Sequence, residues 1–108
     1  MKKPLTGDFN ELVRENMKRD PEFRQAMLLE TMNCFLQGDI EKGNSLFRNY
    51  IVDDMGYKAL GKKTGIHEKS LNRMFGPKGN PTTKNLLKVI NAITVYEGIK
   101  LKVVAEKA

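Results

Sequence analysis

The sequence predicts an all-α fold, a bundle of five or more helices with a helical extension at the N-terminal end and one short β-strand at the C-terminal end. Apolar residues recur every three or four positions, residues typical of helix starts precede these runs, and glycine or proline follows them. The 108 residues, 40% hydrophobic and 30% charged, have the size and composition of one globular domain and are too apolar to be disordered.

Three helices are predicted in the N-terminal half, residues 1–55. The first begins at Asp8, and the second begins at Asp20, a capping residue followed by a proline, and stops at Gly38. Asp39 caps the third helix. The second helix is apolar over so wide an arc that it is either central in the fold or covered by a partner. The apolar face of the first helix comprises Phe9, Leu12, Val13 and Met17.

The C-terminal half, residues 56–108, is predicted to contain shorter elements. Helices over residues 57–64 and 67–75 are followed by a loop at residues 76–81 that holds two of the four prolines. Thr82 caps a final helix that ends before Gly98. Residues 99–103 then alternate between apolar and basic side chains, which is the period of a strand with one covered face.

This predicted strand needs a partner, because a single strand is not stable alone. No other segment of the chain offers a clear second strand. We therefore expect the strand to pair with the same strand of a second copy of the protein, with Ile99, Leu101 and Val103 forming the dimer contact.

The net charge of +6 is divided unevenly between the two halves. Residues 1–55 hold eight Lys or Arg against ten Asp or Glu, a net −2, and residues 56–108 hold eleven against three, a net +8. A basic half joined to a nearly neutral half indicates that one end meets a polyanion. The alternative is a lysine-rich surface that only faces solvent.

Residues 57–75 have the pattern of a helix-turn-helix. Gly61 lets the two helices approach closely, and Gly65 supplies the positive φ that the turn needs. Ile66 fills the space between the helices, and Leu60 and Leu71 anchor the pair to the core. The second helix is then free to place its outer side chains in a DNA major groove.

The candidate DNA-binding residues follow from this arrangement, since arginine pairs with guanine, asparagine pairs with adenine, and lysine binds phosphate. On the second helix they are Glu68, Lys69, Asn72 and Arg73. On the first helix they are Tyr57, Lys58, Lys62 and Lys63, with Lys78 and Lys84 as further phosphate contacts.

Residues 56–103 resemble the addiction module antidote (HigA-like antitoxin) family of the phage-repressor/Cro-like helix-turn-helix superfamily. The start of the second helix, Asp20-Pro21-Glu22, also resembles the N-terminal part of this family. The matching motifs are Thr64-Gly65-Ile66, Ser70-Leu71, Gly79-Asn80-Pro81, Leu86-Leu87-Lys88-Val89-Ile90 and the terminal Ile99-Lys100-Leu101-Lys102-Val103. Two departures are His67, where the family usually has a serine cap, and Gly61, where alanine is common.

The resemblance implies a compact lambda-repressor-like helix-turn-helix bundle that binds a palindromic operator in double-stranded DNA as a homodimer and represses its own operon. It also implies the antitoxin of a type II toxin–antitoxin module, which neutralises a RelE/HigB-like toxin, with residues 1–55 as the toxin or partner surface. DNA contact is carried over to Tyr57, Lys58, Glu68, Lys69, Asn72 and Arg73. The alternative function is a protein-interaction module of the same fold that binds a toxin or another partner without specific DNA binding.

Other functional classes find no support in the residues. Cys34 is the only cysteine and His67 the only histidine, so we expect no internal disulfide, no metal site and no catalytic pair. No cofactor-binding loop is visible, and we expect no enzymatic activity. The chain has no apolar run long enough to span a membrane and no signal peptide after Lys2 and Lys3, which favours a reduced, cytoplasmic protein without membrane contact.

Overall fold

Helices account for most of the chain that the computed structural model describes, which is residues 8–108, with only the backbone described at residues 8–10, 13, 14 and 17. Within that part the helices are α1 (Asp8–Arg19), α2 (Pro21–Leu36), α3 (Ile40–Asp53), α4 (Gly56–Thr64), α5 (Glu68–Met74) and α6 (Thr83–Glu97). The all-α prediction is therefore confirmed. None of these helices is long and apolar enough to cross a lipid bilayer.

Side-chain caps explain where three of the helices begin. The Asp20 carboxylate accepts the backbone N–H of Glu22 at 3.0 Å, and Asp39 accepts that of Lys42 at 3.2 Å. The Thr82 hydroxyl accepts the N–H three residues further on at 3.1 Å. Each cap satisfies a donor that the first helical turn leaves unpaired. The sequence predicts all three.

Two expectations for the N-terminal end lie outside the described residues. The apolar face predicted for α1 includes Phe9, Val13 and Met17, whose side chains are not described. The fourth member, Leu12, is exposed. Residues 1–7, on which the expectation about a signal peptide depends, are also not described.

Phe47 of α3 lies at the centre of the hydrophobic core. Its ring centroid is 5.1 Å from that of Phe75 and 6.0 Å from that of Phe35, and both pairs meet edge to face. The buried cluster around it draws on both halves of the sequence: Leu28, Tyr50, Ile51, Leu60, Leu71, Phe75, Val89, Ala92 and Ile93. The helix-turn-helix segment and the N-terminal helices therefore share one core.

Only part of the apolar arc of α2 is covered by this core. Leu28 and Cys34 are buried, whereas the side chains of Leu29 and Leu36 are 49% and 66% exposed. One side of α2 packs in the core, and the other side is exposed to solvent.

The predicted C-terminal strand does not form in the single chain. Residues 98–108 have no helix or strand assignment, and the described residues contain no strand at all. The physical reason is that a strand exists only with a hydrogen-bonded neighbour, and residues 8–108 supply none. Ile99 and Leu101 instead pack against the chain's own core, while Val103 is exposed.

A buried ionic network joins the C-terminal end of α6 to α2 and α3. The Arg24 Nε donates to both carboxylate oxygens of Glu97, at 3.1 and 2.9 Å, and the Tyr50 hydroxyl donates to the same carboxylate. The hydrogen bond that Arg24 donates to Glu97 raises the pKa of Arg24, and burial together with this carboxylate raises the pKa of Tyr50.

Asp54 lies at the edge of this network, and its backbone N–H donates to the carbonyl of Tyr50 at 3.2 Å. Its buried Oδ2 has no hydrogen-bond partner and lies 3.8 Å from Arg24 Nε. Burial raises the pKa of the Asp54 carboxyl, and the negative charge of Glu97 raises it further, against the opposing effect of Arg24. The folded protein therefore holds this proton more tightly than the unfolded chain does.

We expect Asp54→Asn to increase stability more at pH 7 than at pH 3. The folded-state pKa of the Asp54 carboxyl is raised, so the stability that this group contributes is lost as the pH rises from the unfolded pKa through the folded pKa. The asparagine side chain of the variant cannot ionise and therefore avoids this loss. Urea denaturation at both pH values measures the difference. Glu41→Gln, which removes an exposed carboxylate from α3, serves as the control. An effect of Asp54→Asn that is the same at both pH values contradicts this prediction.

Candidate nucleic-acid interface

The connection between α4 and α5 is a tight turn whose backbone is fixed by local hydrogen bonds. Gly65 has φ +76°, a conformation that residues with a side chain rarely adopt, and its N–H donates to the carbonyl of Gly61 at 2.8 Å. The Thr64 hydroxyl donates to the carbonyl of Leu60 at 2.9 Å and accepts the N–H of Ile66 at 3.2 Å. The turn is therefore rigid, and it sets the angle between the two helices.

Gly61 has the close-packing role that the sequence predicts. A methyl group added at Gly61 would lie 2.9 Å from the carbonyl oxygen of Ile66, which is closer than van der Waals contact allows. The backbone of the turn thus passes directly over α4 at this position. Leu60 and Leu71 are buried on either side, as predicted.

His67 caps α5, in the place where the resemblance leads one to expect serine. Its backbone is extended, with φ −60° and ψ 140°, and its Nδ1 accepts the backbone N–H of Lys69 at 3.1 Å. The imidazole therefore replaces the hydroxyl as the acceptor for an unpaired donor of the first turn. The ring is exposed and has no metal-binding partners among the described residues.

The outer face of α5 carries the polar side chains that the sequence assigns to it. Glu68, Lys69, Asn72 and Arg73 are all exposed, whereas Leu71 is fully buried. Lys69 and Arg73 are one turn apart on that face. The helix thus presents two cations and an amide to solvent while it is anchored from behind.

The lysines of α4 divide between two surfaces. Lys58 and Lys62 line the open groove between α4 and α5, together with His67 and Glu68. Lys63 points the other way, with its Nζ 5.4 Å from the centre of the Tyr96 ring, a cation–π distance. The structure therefore groups Lys58 and Lys62 with α5 and separates Lys63 from them.

Three further predicted DNA contacts are less closely tied to α5. Lys78, in the loop after α5, and Lys84, in the first turn of α6, are exposed. The Tyr57 hydroxyl is buried without a hydrogen-bond partner, and this burial raises its pKa. Tyr57 would have to turn its hydroxyl outward to reach a phosphate, and its DNA contact stays a prediction.

Two residues of α3 position α5 and were not predicted from the sequence. The Asn44 Nδ2 donates to the carbonyl of Gly79 at 2.9 Å, and the Arg48 Nη1 donates to the carbonyl of Phe75 at 3.2 Å. Phe75 directly follows α5, so Arg48 places a positive charge at the negative end of the helix dipole. The only sequence signal was the presence of polar residues on the apolar face of α3.

The loop after α5 folds tightly back on the end of that helix. A methyl group added at Gly79 would overlap the carbonyl oxygens of Arg73 and Met74. The loop therefore passes directly against the last turn of α5, and the bond from Asn44 holds it there.

No cluster of side chains among the described residues could hold a metal ion. Comparison of the chain with protein-family models, with curated proteins and with solved structures gives no match. The interpretation of this surface therefore depends on its geometry and charge.

We expect Gly79→Ala to lower the free energy of unfolding by about 1–3 kcal/mol, because the methyl group cannot be accommodated without moving the backbone. Urea denaturation measures the loss. Gly76→Ala is the matched control in the same loop, since an added methyl there meets its nearest neighbour at an ordinary 3.4 Å. Equal effects of the two substitutions contradict the close packing at Gly79.

We expect His67→Ala to lower the free energy of unfolding by about 1 kcal/mol through loss of the cap, and His67→Ser to retain most of the stability. Thermal or urea denaturation of the two variants at neutral pH provides the comparison. If serine is as destabilising as alanine, the role of His67 as a cap is wrong.

Proposed function

We propose that the protein is a sequence-specific DNA-binding transcriptional repressor, with a lambda-repressor-like helix-turn-helix in which α5 enters the major groove. The observation that carries the proposal is the exposed face of α5. Lys69, Asn72 and Arg73 project from a helix that a rigid turn and α3 hold in place, within a half of the chain with net charge +8. A lysine-rich surface that only faced solvent would not require a turn and a hydrogen bond from α3 to fix the orientation of one helix.

The chemistry of this face matches base edges and phosphates. Arg73 can donate two hydrogen bonds to guanine, Asn72 can pair with adenine, and Glu68 can accept from the amino group of cytosine. Lys58 and Lys62 lie in the groove beside α5, where they can neutralise phosphates of the flanking backbone. Because these contacts release counterions, affinity should fall steeply as salt is added.

α5 is too short to recognise a specific DNA site alone, so we propose that a second copy of the protein contributes its own α5. At about 1.5 Å per residue, seven residues span about 10 Å, which corresponds to about three base pairs. Two copies related by a twofold axis read two half-sites, which is why we propose a homodimer on a palindromic operator.

We further propose that the protein is the antitoxin of a type II toxin–antitoxin module, which represses its own operon and neutralises a RelE/HigB-like toxin. The sequence resemblance supports this, together with the exposed apolar residues of the N-terminal helices, Leu12, Leu29, Leu36 and Ile40. On this proposal the protein acts by binding and carries out no catalysis. The alternative is a protein-interaction module that binds a toxin or another partner without recognising DNA.

Replacement of Lys69 or Arg73 by alanine should weaken binding to the protein's own promoter region by about 10–100-fold, because each side chain loses a contact to bases. Fluorescence anisotropy with labelled duplexes measures this. Lys42→Ala, which removes an exposed cation from α3, is the matched control. Binding unaffected by both Lys69→Ala and Arg73→Ala contradicts the assignment of α5 as the recognition helix.

Salt titrations separate phosphate contacts from base contacts. Lys58→Ala and Lys62→Ala should each reduce the slope of log affinity against log salt by about one phosphate contact, and should weaken specific and non-specific duplexes equally. Unchanged slopes would place these lysines away from the DNA backbone.

Co-expression with the product of the neighbouring gene, followed by size-exclusion chromatography, tests the partner. A stable complex together with operator binding supports the antitoxin proposal. A stable complex without operator binding favours the interaction module instead.

A further inference from the structure

Lys63 is separated from the other two lysines of α4. Its Nζ lies 5.4 Å from the centre of the Tyr96 ring on α6, whereas Lys58 and Lys62 line the groove beside α5. Because the face of an aromatic ring attracts a cation, this contact directs the Lys63 side chain toward α6. The proposed DNA-binding surface therefore gives Lys63 no role.

Lys63 forms part of a second open pocket, which lies between α4 and α6. The pocket has a volume of about 360 Å³. Small-molecule sites usually have volumes of roughly 300–1,000 Å³, so this pocket suits a small ligand. Its lining consists of Lys63, Thr64, Lys88, Asn91, Ala92 and Val95.

Two positive charges meet in this pocket without a negative one. Lys63 and Lys88 are both exposed, and neither forms an ion pair with any residue that the structure describes. All six lining residues lack a carboxylate. An anion placed between the two ammonium groups would be attracted by both.

The α6 side of the pocket adds a hydrogen-bond donor and an apolar surface. Asn91 lies one turn after Lys88, and its exposed side-chain amide has no hydrogen bond to a described residue. Ala92 and Val95 provide the apolar surface, and the Val95 side chain is 72% exposed. The Thr64 hydroxyl is already used by the turn between α4 and α5.

We propose that this pocket binds a small phosphate monoester, with the phosphate between Lys63 and Lys88 and the organic group over Val95. A phosphate monoester carries a charge of about −1.5 to −2 at pH 7 and has three strong acceptor oxygens. Its charge matches the two ammonium groups, and a further oxygen can accept from the Asn91 amide. A carboxylate, with a single negative charge, would leave one of the two lysines unmatched.

Two related anions match the pocket less well. Inorganic phosphate has no organic group to cover the exposed apolar surface of Val95, so it gains nothing from that contact. A phosphodiester, such as the backbone of a nucleic acid, carries only one charge per phosphate. We therefore expect the monoester to bind more tightly than either.

The proposal is independent of DNA binding. The pocket does not include Lys58, Lys62 or the outer face of α5. Its test contains no DNA, so a failure of this proposal and a failure of the proposed function can be told apart.

NMR titration of the nitrogen-15-labelled full chain at neutral pH and low salt measures both affinity and location. AMP and glucose 6-phosphate are the monoester probes, cyclic AMP is the phosphodiester, and adenosine lacks the phosphate. We expect the monoesters to shift amide signals of α4 and α6 with dissociation constants on the order of 1 mM, because solvent weakens ion pairs to exposed lysines. Cyclic AMP and inorganic phosphate should bind at least about threefold more weakly, and adenosine should not bind.

Substitutions of single lysines test the two phosphate contacts. Lys63→Ala and Lys88→Ala should each weaken AMP binding about fivefold, since each removes one ion pair, and the double variant should show no saturable binding. Lys100→Ala is the matched control, because it removes an exposed lysine just after α6 that does not line the pocket. It should leave the affinity within about twofold of the parental value, since solvent and salt screen distant charges. The NMR spectrum of each variant shows whether the fold is retained.

The inference is overturned if neither monoester binds saturably, or if the signals that AMP shifts lie outside α4 and α6. It is also overturned if adenosine, cyclic AMP or inorganic phosphate binds as tightly as AMP. A loss of affinity in Lys100→Ala equal to that in Lys63→Ala would overturn it as well, because it would indicate a general attraction to the basic half of the chain.

Discussion

Two polar side chains of α3 donate hydrogen bonds to the backbone that follows α5, and the orientation of α5 depends on these bonds. Asn44 and Arg48 are one turn apart on α3 and donate to the carbonyls of Gly79 and Phe75 at the end of α5. Phe47, between them in sequence, is fully buried, so α3 cannot shift to expose the donors to water. A buried donor left unpaired costs about 1–3 kcal/mol. Since α5 has only seven residues and would not be stable alone, its orientation depends on α3.

The same helix also fixes the end of α6. Tyr50, one turn before the end of α3, donates to the Glu97 carboxylate, which also accepts two bonds from Arg24. Glu97 is the last residue of α6, and the segment without helix or strand begins after it. The orientation of α5 and the starting point of the segment after α6 are thus set by neighbouring turns of α3.

The parts of the fold that the sequence predicted are those with local causes. Asp20, Asp39 and Thr82 bond to the backbone within three residues, and the turn at Gly65 is specified by the few residues around it. The contact from Asn44 to Gly79 spans 35 residues, and no periodicity indicates which distant carbonyl a polar side chain will meet. The position of the Tyr57 hydroxyl was missed for the same reason, because its burial depends on the packing of other helices.

The strand prediction shows a different limit. The alternation in residues 99–103 correctly indicated one covered face, since Ile99 and Leu101 pack on the core. What alternation cannot supply is the hydrogen-bonded neighbour, and the part of the chain that the structure describes contains none. The segment therefore covers the first part of its apolar face on the chain's own core and leaves Val103 exposed.

On the proposed function, reading DNA with so short a helix would place a strict demand on rigidity. About three base pairs would lie within reach of α5, so specificity would depend on each side chain meeting its base with good hydrogen-bond geometry. Phosphate contacts from Lys58 and Lys62 would add affinity without sequence preference, and alone they would hold the protein on any duplex. The hydrogen bonds from α3 hold α5 in one orientation, and a homodimer would present two such helices at the spacing of two half-sites.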